Sequence, residues 1–245
     1  MPASIRLAPW RAALLSLGCG LALSAGAQSI CSSDGQRAPS AVLERFIGAD
    51  CEACWTASSP VPARGATVLD WIVPSSAQGD EAPLSAASTR DSLNRLQALH
   101  WPTELAGHTF SHTLTRTGTA PTPGRLRVAH GVAVADYLGV AIDWQPTRGP
   151  AQPPGPWTAW LLLVERLPAG TEGSPIARQL VRNSLSLSLP SAPTRAWQER
   201  RAMRLPEGAQ PERLALVGWL QDGRGRMVAI NETVCENTPA PGSSR

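Results

Sequence analysis

The 245-residue chain has no apolar run long enough to cross a bilayer. The longest, Ala12 to Ala25, is about 14 residues, short of the ~20 that a membrane helix requires. Surplus charge is also missing: a formal net charge of +3 gives no reason to expect nucleic acid or a membrane surface as partner. Lysine is absent, so all 22 basic residues are arginine, a bias that follows genomic base composition because arginine codons are GC-rich. No nucleophile elbow is present for a serine hydrolase, and no Gly-rich loop to cradle phosphate. No second Cys-x-x-Cys completes a zinc site, and no cofactor is implied. No internal repeat divides the chain.

The first 27 residues have a recognisable form. Arg6 and Arg11 precede the apolar run, no acidic residue interrupts it, and Ala25-Gly26-Ala27 stands before Gln28. That is the charged start, apolar middle and small-residue cleavage site of a secretory signal. Leu17-Gly18-Cys19 loosely resembles a lipid-modified cysteine site, but Ser16 stands where a large apolar residue is usual and a better cleavage site follows. Loss of residues 1–27 lowers the formal charge from +3 to +1. The expected location is periplasmic or secreted, with no membrane span in the remaining chain.

Export also sets how the cysteines are read. Cys31, Cys51, Cys54 and Cys235 remain, an even number in an oxidising compartment, which favours full pairing with three possible connectivities. Cys51 and Cys54 can close a small ring where the backbone turns, leaving Cys31 near one end for Cys235 near the other. The expected pairs are therefore Cys51 with Cys54 and Cys31 with Cys235.

Along the chain, Ser40 to Ile47 reads as a short buried strand and Ala66 to Val73 as the first full one. Pro60, Pro62 and Gly65 punctuate the loop between them. Ser88 to His100 places Leu93, Leu96 and Leu99 at helical spacing, with Ser88 or Thr89 as cap and Pro102 as stop. The second half is a series of short apolar or alternating runs separated by Pro-rich and Gly-rich turns. Trp157 to Val164 reads as a strand buried on both faces. Ser184 to Leu189 alternates strictly and predicts one wet face. The runs around Gln221-Asp222-Gly223-Arg224-Gly225-Arg226 predict a hairpin, with Asp222-Gly223 supplying the positive φ. These runs read as a β-sandwich.

Four segments, Ala41 to Trp55, Ala66 to Val73, Arg178 to Ser184 and Arg213 to Val228, carry a resemblance. The chain resembles a family of secreted bacterial proteins of unknown function that join a divergent thioredoxin-like domain to a C-terminal β-sandwich. The resemblance implies an α/β, reduced thioredoxin-like half followed by an all-β, sandwich-like half. The corresponding division is a signal over 1–27, a thioredoxin-like domain over 28–122, a β-sandwich over 123–236 and a disordered tail over 237–245. It also implies a cis-proline against the cysteine pair, for which Pro123 and Pro102 are the nearest candidates.

The local chemistry of Cys51 and Cys54 favours a structural bridge over thiol exchange. Asp50 and Glu52 oppose a thiolate, and the prolines leave little helix to stabilise one. The expected function is that of an exported, non-catalytic binding or assembly component of the cell envelope. The alternative is a thiol-disulfide oxidoreductase in which Cys51, the more exposed, attacks and Cys54 resolves. Trp55, beside the pair and a loop, is a candidate exposed contact for a protein or peptide partner. His108 and His112 stand at metal-ligand spacing, but in a Thr-rich segment that reads as extended and lacks a general base. His100 reads as a helix-end residue and His130 as part of a strand. Asn231-Glu232-Thr233 matches a glycosylation acceptor, which carries little meaning behind a bacterial-type signal. The exported protein should begin at Gln28, as read by intact mass and N-terminal sequencing; a start at a lipid-modified Cys19 would overturn that site.

Overall fold

The computed structural model describes residues 31–57, 64–116, 123–148 and 153–235. The signal segment with Cys19, the 237–245 tail, Pro60 and Pro62 lie outside the described residues. Among the described residues, twelve strands and two short α-helices follow in order: β1 (Cys31–Ser32), β2 (Ala41–Gly48), α1 (Glu52–Thr56), β3 (Ala66–Val73), α2 (Arg90–Ala98), β4 (Thr109–Thr115), β5 (Gly124–Val134) and β6 (Tyr137–Pro146). They continue with β7 (Trp157–Leu167), β8 (Arg178–Leu189), β9 (Trp197–Arg204), β10 (Leu214–Asp222), β11 (Met227–Glu232) and β12 (Val234–Cys235).

The strands form two sheets. One has five strands in the order β12-β1-β5-β6-β9, and the other seven in the order β11-β10-β7-β8-β3-β2-β4. In the larger sheet β2 runs parallel to β3, and β3 parallel to β8. Its remaining pairs are antiparallel.

This arrangement overturns the expectation of an α/β, thioredoxin-like N-terminal half. β2, β3 and β4 are not the core of a separate α/β layer; they continue the sheet that β8, β7, β10 and β11 complete. The helices span five and nine residues, too little apolar surface to cover both faces of a parallel sheet. The molecule is β-rich and sandwich-like. No cis peptide bond occurs among the described residues, so Pro102 is not a cis-proline; the bond before Pro123, the other candidate, involves Thr122, which lies outside the described residues.

Each face of the seven-stranded sheet has its own cover. Trp144 and Trp157 meet edge to face between the two sheets, with Val128, Ile142, Leu161 and Leu216 around them. Gly218 permits this approach, because a Cβ there would lie 2.6 Å from Val128 Cγ1. On the opposite face, α2 brings Leu96 onto Phe46, Trp71, Trp160 and Trp219. Thr89 caps α2 by accepting from the Ser92 amide, and His100 ends it in a left-handed conformation with φ of 57°. The hairpin between β10 and β11 forms as expected, but Gly225 and not Gly223 takes the positive φ. Asp222 Oδ1 organises that turn, accepting from the Arg224 and Arg226 amides.

The α2 face is locked by charge. Arg95 Nε and Nη2 donate to the carboxylate of Glu44 on β2, at 2.9 and 2.6 Å. The Arg95 guanidinium lies 4.4 Å from the Trp160 ring centroid and 5.4 Å from that of Trp219. Glu44 is fully buried. Burial alone would raise its carboxyl, but Arg95, with His112 beside it, holds it below the usual carboxylate range. Removing one partner strands a buried charge, at a cost of about 3–5 kcal/mol. Arg95→Ala should lower the urea midpoint accordingly. Because the folded carboxyl is depressed, its stabilisation is present above the ordinary value of 4.5 and is lost as pH falls through the folded value. Urea titrations below that pH should show wild-type stability falling more steeply than that of Glu44→Gln.

Candidate functional site

Alternate residues of a strand point to opposite faces, so adjacent charges in β2 part company. Glu44 turns toward α2, while Arg45 turns to the other face with Ile47. In β3, Asp70 shares that face with Ile72, and parallel register sets Arg45 directly opposite Asp70. Arg45 Nη2 donates to Asp70 at 2.7 Å. A second cation, Arg178 at the start of β8, places Nη1 3.4 Å from Asp70 Oδ2. All three side chains are buried.

Arg178 also ties α1 to the sheet. Its Nη2 donates to the Trp55 and Ala57 carbonyls, and its Nε to Ser174 Oγ at 2.6 Å. The guanidinium stacks over the Trp55 ring, 4.3 Å from the centroid. Trp55 Nε1 completes the clamp by donating to the Glu172 carbonyl at 2.7 Å. The expectation of an exposed partner contact at Trp55 therefore loses its basis: the residue is 3 % exposed, and both its ring and its indole N–H are engaged within the protein.

Cys51 and Cys54 are disulfide-bonded at the start of α1. Cys51 is the N-cap, and its Sγ accepts from the Cys54 amide at 3.3 Å. It is 8 % exposed, whereas Cys54 is only half-buried. This reverses the order of exposure on which attack by Cys51 was expected. Cys54 Sγ lies 3.6 Å from the Gly107 carbonyl.

A recess of about 610 Å³ opens beside the disulfide, lined among others by Arg45, Cys51, Cys54, His108, Ser111 and Arg178. It exists because β4 is the edge strand: Thr109 and Ser111 share the Arg45 face and are exposed. A larger cavity of about 780 Å³ includes Arg37, Arg64, Arg116 and Glu232; its Arg64 and the Ala57 that lines the recess stand on either side, in sequence, of positions 58–63, which lie outside the described residues.

The electrostatics of the recess are unbalanced. Two buried cations pair with a single buried carboxylate, so the buried cluster of described residues carries one surplus positive charge. Burial pushes the Asp70 carboxyl up against the pull of Arg45 and Arg178. Burial pushes Arg178 down, Asp70 pulls it back up, and the like charge of Arg45 adds to the lowering. Arg45 Nε is buried without a hydrogen-bond acceptor.

The histidines do not converge. His108 lines the recess, while His112 Nδ1 lies 3.3 Å from Glu44 Oε2 on the α2 face. The structure does gather a trio that sequence reading left apart. Cys31 pairs with Cys235 on one side and with His130 on the other, placing their ligand-type atoms within 4.8 Å of one another. Cys31 and Cys235 are disulfide-bonded, so neither offers a thiolate to a metal. Arg45, Asp70 and Arg178 were missed because their chemistry depends on one another. The available signal was a charge inside each of two apolar strands, AVLERFIG and ATVLDWIV.

No family model matches the chain, and no curated protein matches it. Among solved structures, a domain of the outer membrane lipoprotein Omp28 from Porphyromonas gingivalis is similar over 50% of this chain and 95% of its own, at 9% identity and a TM-score of 0.34. HBP35 of Porphyromonas gingivalis is similar over 86% of this chain and 80% of its own, at 10% identity and a TM-score of 0.49. An endonuclease/exonuclease/phosphatase from Beutenbergia cavernae DSM 12333 has 17% identity over 51% of this chain and 30% of its own, with a TM-score of 0.25. At these TM-scores the likenesses carry no inference about chemistry.

The two disulfides differ in what they constrain. Cys31 and Cys235 are 204 positions apart, Cys51 and Cys54 three. In the chain-entropy view the long closure contributes up to about 5 kcal/mol and the short one about 2 kcal/mol. Replacing Cys31 and Cys235 together by serine should therefore lower thermal stability more than replacing Cys51 and Cys54, as read by calorimetry.

Proposed function

We propose that the protein is an exported, non-catalytic binding component of the cell envelope, and that the recess beside Cys51 and Cys54 is its binding site. The observation that carries this reading is how the disulfide is held. Cys51 is 8 % exposed, and α1 behind it is fastened to β8 by Arg178 and to the Glu172 carbonyl by Trp55. A disulfide held in this way shapes a wall. Exchange requires an attacking thiolate to reach a sulfur along an open path, and the recess offers its more open approach at Cys54, not at Cys51. The five residues of α1 add little helix charge to favour a thiolate. Two disulfides among the described residues suit an oxidising compartment, in keeping with the signal-like first 27 residues.

Two observations favour the alternative, a thiol-disulfide oxidoreductase. Cys51 Sγ already accepts from the Cys54 amide, and two arginines line the same recess, both of which would steady a thiolate. The reduction potential separates the two readings. Differential alkylation of Cys51 and Cys54 in graded dithiol buffers should give a value below about −300 mV, that of a permanent bridge. A value between about −270 and −120 mV would sink the binding reading in favour of exchange.

A further inference from the structure

We infer that the recess beside the Cys51–Cys54 disulfide binds a carboxylate, held by Arg45. The inference deepens the binding reading above and rests on it. Its basis is a count of charge and of hydrogen bonds in one buried cluster.

Glu44 and Glu165 are fully buried carboxylates on the same sheet, and each meets one buried guanidinium, Arg95 and Arg182 respectively, the second also reaching the exposed carboxylate of Glu172 at 3.4 Å. Asp70 departs from that stoichiometry, since Arg45 and Arg178 both converge on it. One buried positive charge is left over. Leaving a charge unpaired in a poorly solvated site is costly, and the cost falls when an anion enters.

The two arginines are not equivalent. Arg178 spends its donors on Ser174, Asp70 and the carbonyls of Trp55 and Ala57. It is a positioning residue for α1. Arg45 is anchored to Asp70 through Nη2, and among the described residues its Nε–H, itself shielded from solvent, has no acceptor, while the residue as a whole is 5 % exposed. Arg45 lines the recess. A donor of this kind, charged, planar and held by a neighbour, suits a carboxylate oxygen.

The same count selects among anions. A single surplus charge neutralises one negative charge. A carboxylate leaves the cluster balanced, whereas a phosphate dianion would bring a second charge into a site with nothing to meet it. Exposed Ser111 and Thr109 on β4 and His108 at the rim supply polar groups for the rest of the ligand. A free organic acid and the C-terminus of a peptide share this chemistry.

Isothermal titration of the exported protein, with both disulfides formed, tests the assignment. The probes are propionate, acetyl-Ala-Ala-Ala with a free carboxylate, the same tripeptide as its carboxamide, and inorganic phosphate. At least one of the two carboxylates should bind, and the carboxamide and phosphate should bind at least about tenfold more weakly, the scale of one hydrogen bond to a charged group. Tighter binding of propionate marks free acids as the source, and tighter binding of the tripeptide acid marks peptide ends. Arg45→Gln should weaken carboxylate binding by about tenfold or more, while Arg45→Lys retains part of it. Asp70→Asn removes the competing carboxylate and should tighten binding, a gain that damage to the fold does not produce.

Equal binding of the tripeptide acid and its carboxamide would overturn the carboxylate assignment and leave the binding reading standing. Weaker binding by Asp70→Asn, with circular dichroism unchanged, would overturn it too. Absence of binding by every probe overturns it, and with a Cys51–Cys54 potential in the exchange range removes the binding reading as well.

Discussion

A seven-stranded sheet exposes two faces that must both be covered, and the described residues hold two short α-helices, of five and nine residues, with which to cover them. The rest of the architecture follows from that constraint. One face receives α2, whose leucines and Arg95 settle onto Phe46, Trp160 and Trp219. The other receives the five-stranded sheet over β7, β10 and β11, where Gly218 lets the backbones approach. That second cover does not reach the β4 edge. There Trp55 of α1 and the 82–87 segment pack on Ile47 and Ile72, and the recess beside the disulfide is left open.

Buried charge is placed by the same geometry. A strand covered on both sides has no wet face on which to put a charged residue, so each one must find a partner within the protein. Glu44, Asp70 and Glu165 are all fully buried, and each is met by arginine. In a chain without lysine the planar guanidinium serves every such pairing, and its fork suits carboxylates from several directions. Glu44 with Arg95 fastens a helix to the sheet. Asp70 with Arg45 and Arg178 fastens α1 and leaves a charge to spare. The same chemistry produces a structural lock on one face and a candidate binding site on the other.

The disulfides divide their labour in a similar way. Cys31–Cys235 joins β1 to β12 at the edge of the five-stranded sheet and closes most of the chain into one loop. Cys51–Cys54 acts locally, shaping the wall of the recess while Arg178 and Trp55 hold the segment behind it.

Much of the secondary structure was legible because it depends on local periodicity. β3 lies where its apolar, β-branched run placed it, α2 starts at its Thr89 cap, and the leucines of the 184–189 alternation turn inward while Ser186 and Ser188 face water. The fold class was not legible. A strand, a Cys-x-x-Cys segment, a strand and a helix read alike whether they build an α/β domain or one edge of a larger sheet, because the difference lies in which distant strand pairs with β3. That strand is β8, more than 100 residues on. Trp55 shows the same limit on a smaller scale, since its position beside a loop suggested exposure and Arg178 and Glu172 remove it. By itself the sequence determined which residues alternate, where turns and caps fall, and that Glu44, Arg45 and Asp70 stand inside apolar strands. Only the tertiary structure decided that Arg95 answers Glu44 and that Arg45 and Arg178 share Asp70, because charge pairing acts through space and those partners lie 25 to 108 residues apart along the chain.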